Sequence, residues 1–136
     1  MKTPTTVVLI VPVLLLAAVA VQATEPYEIE IPLGLPPAPF PDGNPITEAK
    51  VALGDKLFHD KRFSSDGSVS CATCHDLEKG LTDSPLKVSE GIQGLTGTRN
   101  APTVWNSVYM TSMFWDGRSP DLEDQALHPF VNPVEM

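Results

Sequence analysis

The apolar positions of this chain fall into three successive patterns. Residues 7–21, behind Lys2, form a nearly unbroken apolar run. Residues 26–45 replace it with seven prolines: Pro26, Pro32, Pro36, Pro37, Pro39, Pro41 and Pro45. Proline fixes φ and lacks an amide donor, so this stretch is neither helix nor inner strand and reads as an extended arm. A helical period begins near Thr47. Ala49, Leu53 and Leu57 recur at i, i+4 and i+8, with Phe58 widening the stripe. The spacing predicts a helix capped by Thr47 and ending around His59-Asp60.

Beyond that helix the periods are short. Residues 63–68 form a turn cluster, and 70–77 fit one helical turn. Residues 80–100 are rich in Gly, Ser and Thr, and Gly91, Gly94 and Gly97 fall three apart, which predicts a loop packed closely against something flat. One short helix is expected within 101–113 and a turn at 114–118. A last helix should start with Ser119 as cap, Pro120 in first position and Asp121 at the positive dipole end. Leu122 and Ala126 share its face, and Pro129 stops it. There is no strand alternation and no internal repeat. The expectation is a mainly α domain with long loops.

The N-terminal run changes how much of the chain counts. Lys2, the apolar stretch and the small residues Val21 and Ala23 resemble a secretory signal, residues 1–23, cleaved after Ala23. The run is short for a membrane span of roughly 20 residues; an uncleaved anchor is the alternative. The remaining organisation is a 24–45 arm and one 46–136 domain. With Lys2 removed, eight cations face 17 acids, a net charge of −9. Such a surface argues against nucleic acid and suits a basic protein partner.

The chemistry centres on Cys71-Ala72-Thr73-Cys74-His75. This C-x-x-C-H run is an attachment site for c-type haem. On one helical turn, positions i, i+3 and i+4 share a face. Two thioether-forming thiols and an iron-binding imidazole therefore reach one flat macrocycle from one side. Structural zinc would need four ligands, and only His59 and His128 are spare. A thioredoxin-like pair belongs in a βαβ pattern, which is absent. Covalent haem also fits export, which points to the periplasm.

The motif belongs to an ordered set. Leu57-Phe58-His59-Asp60-Lys61-Arg62-Phe63-Ser64 precedes it. Arg99-Asn100-Ala101-Pro102-Thr103, Phe114-Trp115-Asp116-Gly117-Arg118, Leu122-Glu123-Asp124-Gln125-Ala126 and Asn132-Pro133-Val134-Glu135-Met136 follow. Over residues 46–136 this set resembles the N-terminal, peroxidatic cytochrome c domain of the bacterial di-haem cytochrome c peroxidases and of the similar methylamine-utilisation di-haem enzymes. Those proteins carry a second haem domain with its own C-x-x-C-H; the expectation is that this chain is truncated before it.

The resemblance implies an activity and a set of roles. The activity is reduction of hydrogen peroxide with electrons from a small cytochrome c or a cupredoxin. Glu135 would be the distal acid and base, with Gln125 beside it as hydrogen-bonding partner. Trp115 would lie between the two haems and pass electrons, and Asn100 would help bind calcium at the domain junction. A homodimer is a candidate assembly. Aligning Ser89-Glu90-Gly91 puts Ile92 where family members place a histidine that caps the resting iron, so the site is expected to lack a His cap. Oxidation of a protein or organic substrate would use the same architecture. The reading from a different class is a mono-haem electron-transfer cytochrome c with a methionine as sixth ligand, for which Met110, Met113 and Met136 are available.

Overall fold

The computed structural model describes residues 27–136, so the signal-peptide reading and Pro26 lie outside the described residues. Four α-helices are present: α1 (Glu48–His59), α2 (Cys71–Cys74), α3 (Leu122–Gln125) and α4 (His128–Val131). Four 3-10 turns fall at Lys61–Phe63, Leu77–Lys79, Ile92–Gly94 and Ser107–Tyr109. No strand forms among the described residues. The isolated bridges Asp76–Thr82, Glu90–Thr96 and Met113–Ser119 each close a small loop. Helical content is modest, and loops carry most of the chain.

Helix α1 begins as its sequence dictates. The Thr47 hydroxyl accepts from Lys50 N at 3.3 Å, Glu48 meets the positive end, and Lys56 and His59 the negative end. The stripe is less covered than the period suggests. Leu53 is 55% and Leu57 41% exposed, because α1 rests on the four-residue α2 and not on a layer of helices. Phe58 is its best-covered aromatic, with its ring 6.4 Å from that of His75.

Residues 27–45 have no helix or strand and touch the rest of the chain at a few points. Tyr109 donates its hydroxyl to Pro36 O at 2.8 Å, and Asn44 donates its amide to Glu123.

Two expectations for the C-terminal third are corrected. The cap of α3 is Asp121, not Ser119: its carboxylate accepts from Asp124 N at 2.8 Å. Ser119 is fully buried and otherwise engaged, since its carbonyl accepts from Met113 N and its hydroxyl donates to Asp121 O. Pro120 has no N–H to satisfy, so either residue could have begun the helix; the burial of Ser119 against Met113 leaves the role to Asp121. Pro129 does not end the helical segment. It sits in the first turn of α4, where its missing N–H leaves nothing unpaired, and so separates two short helices.

Buried apolar side chains are few: Val69, Ile92, Ala101, Met113 and Met136. Acidic side chains do much of the joining. Asp83, buried, accepts from Ser89 Oγ at 2.5 Å and from Ala101 N at 3.2 Å, which ties both ends of the glycine-rich loop. Asp66 accepts from Ser68 and, across the fold, from Gln93 N at 3.0 Å. These bonds hold the loops around the turn that carries the cysteines.

Candidate functional site

Helix α2 is one turn long, shorter than the expected 70–77. Ser70 and Thr73 close it reciprocally as a capping box, with Ser70 N donating to Thr73 Oγ1 at 3.0 Å. The turn presents Cys71, Cys74 and His75 together, each partly buried. His75 Nδ1 donates to Leu81 O at 3.1 Å. That bond fixes the tautomer and leaves Nε2, with its lone pair, for a metal. Leu81 is held at φ 57° inside the loop closed by the Asp76–Thr82 bridge, so local backbone geometry sets the imidazole.

Both cysteines are free thiols. Burial raises the Cys71 pKa. Cys74 is pushed up to about 11, first by burial and then by the charges of Asp83, Glu135 and Cys71. Two thiols held neutral at ordinary pH are poor redox nucleophiles. They suit addition of S–H across a vinyl group. Among the described residues no three His, Cys, Asp or Glu side chains gather as a metal cluster. The donor set therefore fits a covalently held haem: two thiols and one imidazole with a fixed tautomer on one turn. Beside them lies a cavity of about 440 Å³ lined by Val69, Thr73, Cys74, Asp83, Leu86 and Gly91, among others.

The C-terminal segment folds back onto this turn. The Cys74 thiol donates to Glu90 O at 3.8 Å, and the next residue, Gly91, carries the backbone of Val134 and Glu135. A side chain at Gly91 would place Cβ 1.9 Å from Val134 O and 3.0 Å from Glu135 Cα. The flat surface that the glycine spacing anticipates is, at Gly91, this peptide backbone. Met136 O accepts from Ser65 N at 2.7 Å and anchors the end of the segment. Glu135 is thereby brought near enough for its charge to act on Cys74.

Other expected residues are placed less closely. The hydrogen-bond partner of Glu135 is Asn132, whose amide donates to Oε1 at 2.9 Å, and not Gln125. Gln125 is half-buried on α3 and makes no side-chain hydrogen bond among the described residues. Trp115 is 61% exposed, and its indole N–H donates to Asn100 O at 3.0 Å. The Arg99–Asp116 ion pair at 3.1 Å straps the two loops that meet there. Ile92 is buried and lines a second cavity of about 340 Å³ with Phe130, Asn132 and Met136. Sequence reasoning missed Asp83 and Asn132; it noted Gly91 only as a member of the glycine series.

A family model of di-haem cytochrome c peroxidases matches residues 48–136. The chain is 50% identical over 101 residues to a cytochrome c peroxidase of Escherichia coli, covering 74% of this chain and 22% of that protein. It is 46% identical over 98 residues to the methylamine utilization protein MauG of Methylorubrum extorquens, covering 72% and 28%. Among solved structures it is similar to a MauG-like protein associated with microbial copper homeostasis, with a TM-score of 0.73 and 37% identity over 80% of this chain and 32% of that one. The chain thus spans about a quarter of the length of these curated relatives.

Proposed function

We propose a function from one premise: the chain belongs to the di-haem cytochrome c peroxidase family. It is the peroxide-reacting haem domain of a periplasmic oxidoreductase that reduces hydrogen peroxide to water. Cys71 and Cys74 would hold haem c through thioether bonds, and His75 Nε2 would bind its iron. When bound, the haem supplies an iron that takes up peroxide and stores oxidising equivalents. Glu135 would take a proton from one peroxide oxygen and deliver one to the other, which would leave as water. Two electrons and two protons complete the conversion of one peroxide into two waters. The electrons come from a small cytochrome c or cupredoxin through a second haem, with Trp115 on the route. Calcium at Asn100 would need ligands from outside residues 27–136.

One observation carries this reading: the backbone of Val134 and Glu135 is seated on Gly91, next to Glu90, whose carbonyl accepts from the Cys74 thiol. A positioned carboxylate next to the cofactor is what peroxide cleavage requires. Electron transfer through a methionine ligand is not favoured. Met136 lines the cavity of Ile92 and Phe130, Met113 is buried in the bridge to Ser119, and the relatives include cytochrome c peroxidases. Ile92, having no lone pair, leaves the iron without a His cap.

The test is twofold. The ferric, haem-loaded protein should give a high-spin spectrum, and Glu135→Gln should slow its reaction with peroxide by roughly 10²–10⁴-fold. A low-spin spectrum would remove the uncapped site, and full rate in Glu135→Gln would remove the role of Glu135.

A further inference from the structure

Asn132 makes four hydrogen bonds to the three residues that follow Pro133. Its backbone carbonyl accepts from Glu135 N at 3.1 Å and Met136 N at 3.2 Å. Its side-chain Oδ1 accepts from Val134 N at 3.0 Å. Its Nδ2 donates to Glu135 Oε1 at 2.9 Å. The first three shape the backbone; the fourth touches the carboxylate itself. Oε2 has no hydrogen bond among the described residues. The acceptor and the donor of one amide thus do separate jobs: Oδ1 folds the turn, and Nδ2 aims the carboxylate.

We propose that Asn132 is the positioning residue of the distal proton carrier, holding Glu135 through Oε1 so that Oε2 does the proton transfer. This rests on the reading of Glu135 given above. An aspartate at 132 separates the two jobs. It keeps the Oδ1 acceptor for Val134 N but replaces the donor with a like charge beside Glu135. An alanine removes both.

The experiment compares Asn132→Asp, Asn132→Ala and Glu135→Gln in the haem-loaded protein. Three quantities are read: the rate of the peroxide reaction, the association rate of cyanide and the thermal midpoint. Cyanide enters as HCN and must lose its proton near the iron, so it reports the proton carrier without turnover. Asn132→Asp should lower the midpoint less than Asn132→Ala, since the turn's acceptor is kept, yet slow both rates roughly 10–100-fold, the penalty of a misplaced group. Asn132→Ala should slow both and lower the midpoint as well. Parent rates in Asn132→Asp alongside slow rates in Asn132→Ala would show a purely structural turn and overturn the proposal. Parent rates in both Asn132 variants, with Glu135→Gln slow, would overturn it while sparing the role of Glu135. Parent rates in Glu135→Gln would remove that role and the proposal with it.

Discussion

Gly91→Ala tests whether the glycine-rich loop sets the position of Glu135. The new Cβ would lie 1.9 Å from Val134 O, 2.9 Å from Val134 C and 3.0 Å from Glu135 Cα. All three are backbone atoms, so no side chain can rotate away. Moving the Val134 carbonyl from 1.9 Å to even 3.0 Å demands a shift of about 1.1 Å. Met136 O is held by Ser65 N and Gln93 N by Asp66, so neither partner is free to absorb that shift alone. Overpacking of this kind costs about 1–3 kcal/mol. A displacement of about 1 Å in a reacting group costs on the order of 10²-fold in rate. Thermal unfolding and stopped-flow mixing with peroxide on the haem-loaded protein measure the two. Gly97→Ala is the control, since its Cβ would meet only ordinary contacts at 3.7 Å from Ser89 O and Arg99 O. Equal rates and equal midpoints for the two variants would refute the seat at Gly91.

Asp83→Ala leaves Ser89 Oγ and the buried Ala101 N without their acceptor; the expected loss, read by thermal unfolding, is about 1–3 kcal/mol. Asp66 has its pKa lowered by the Ser68 hydroxyl first, then by Ser68 N and Gln93 N. A lowered folded value stabilises above the unfolded pKa, and that contribution is lost as pH falls through the lowered one. Acid titration of the haem-loaded protein should therefore loosen the contact between residues 66 and 93 below about pH 4, and Asp66→Asn should remove this step from amide-exchange profiles. Withholding haem should broaden thermal unfolding, because five buried apolar side chains oppose a backbone entropy of about 1–2 kcal/mol per residue; a sharp, unchanged transition in the haem-free chain would contradict this.

What was legible in the sequence was local. Thr47 caps α1 because a hydroxyl three residues before a free N–H is all a cap needs. Cys71, Cys74 and His75 share a face because one helical turn dictates it. The turn at 114–118 forms between Met113 and Ser119, as Asp-Gly there suggests. Where two local signals compete, as in Ser119-Pro120-Asp121, the outcome depended on a long-range fact, the burial of Ser119 against Met113. The Leu53 and Leu57 stripe gave the helix but not its covering, since a period says which residues share a face and not what lies opposite. Gly91 and Asp83 were illegible as parts of the site for the same reason, since their partners Val134 and Ala101 lie on other loops and no spacing rule reports such a contact. Asn132 differs: its bonds to Val134 N and Glu135 Oε1 are local, two and three residues on, but an Asx turn alone does not say which carboxylate it serves.

The acidity of the chain takes on a different meaning in this light. A net charge of −8 suggests steering of a basic partner, yet several of the acids have structural work. Asp66 and Asp83 clasp loops, Asp121 caps a helix, and Asp116 joins Arg99 to Arg118. Hydrogen bonds from neutral amides do not cancel a charge, so the field remains, but its origin is architectural. A fold with little apolar core needs strong, directional acceptors to order its loops, and carboxylates supply them. Asp66 fixes the loop that holds Gly91, and Gly91 seats the segment that holds Glu135. The same interactions that replace a hydrophobic core therefore set the distance between Glu135, the proposed proton carrier, and the Cys71–His75 turn. Stability and reactivity should fall together when a clasp is cut, whereas Asn132→Asp, which keeps the acceptor that folds the turn, should lose reactivity out of proportion to stability.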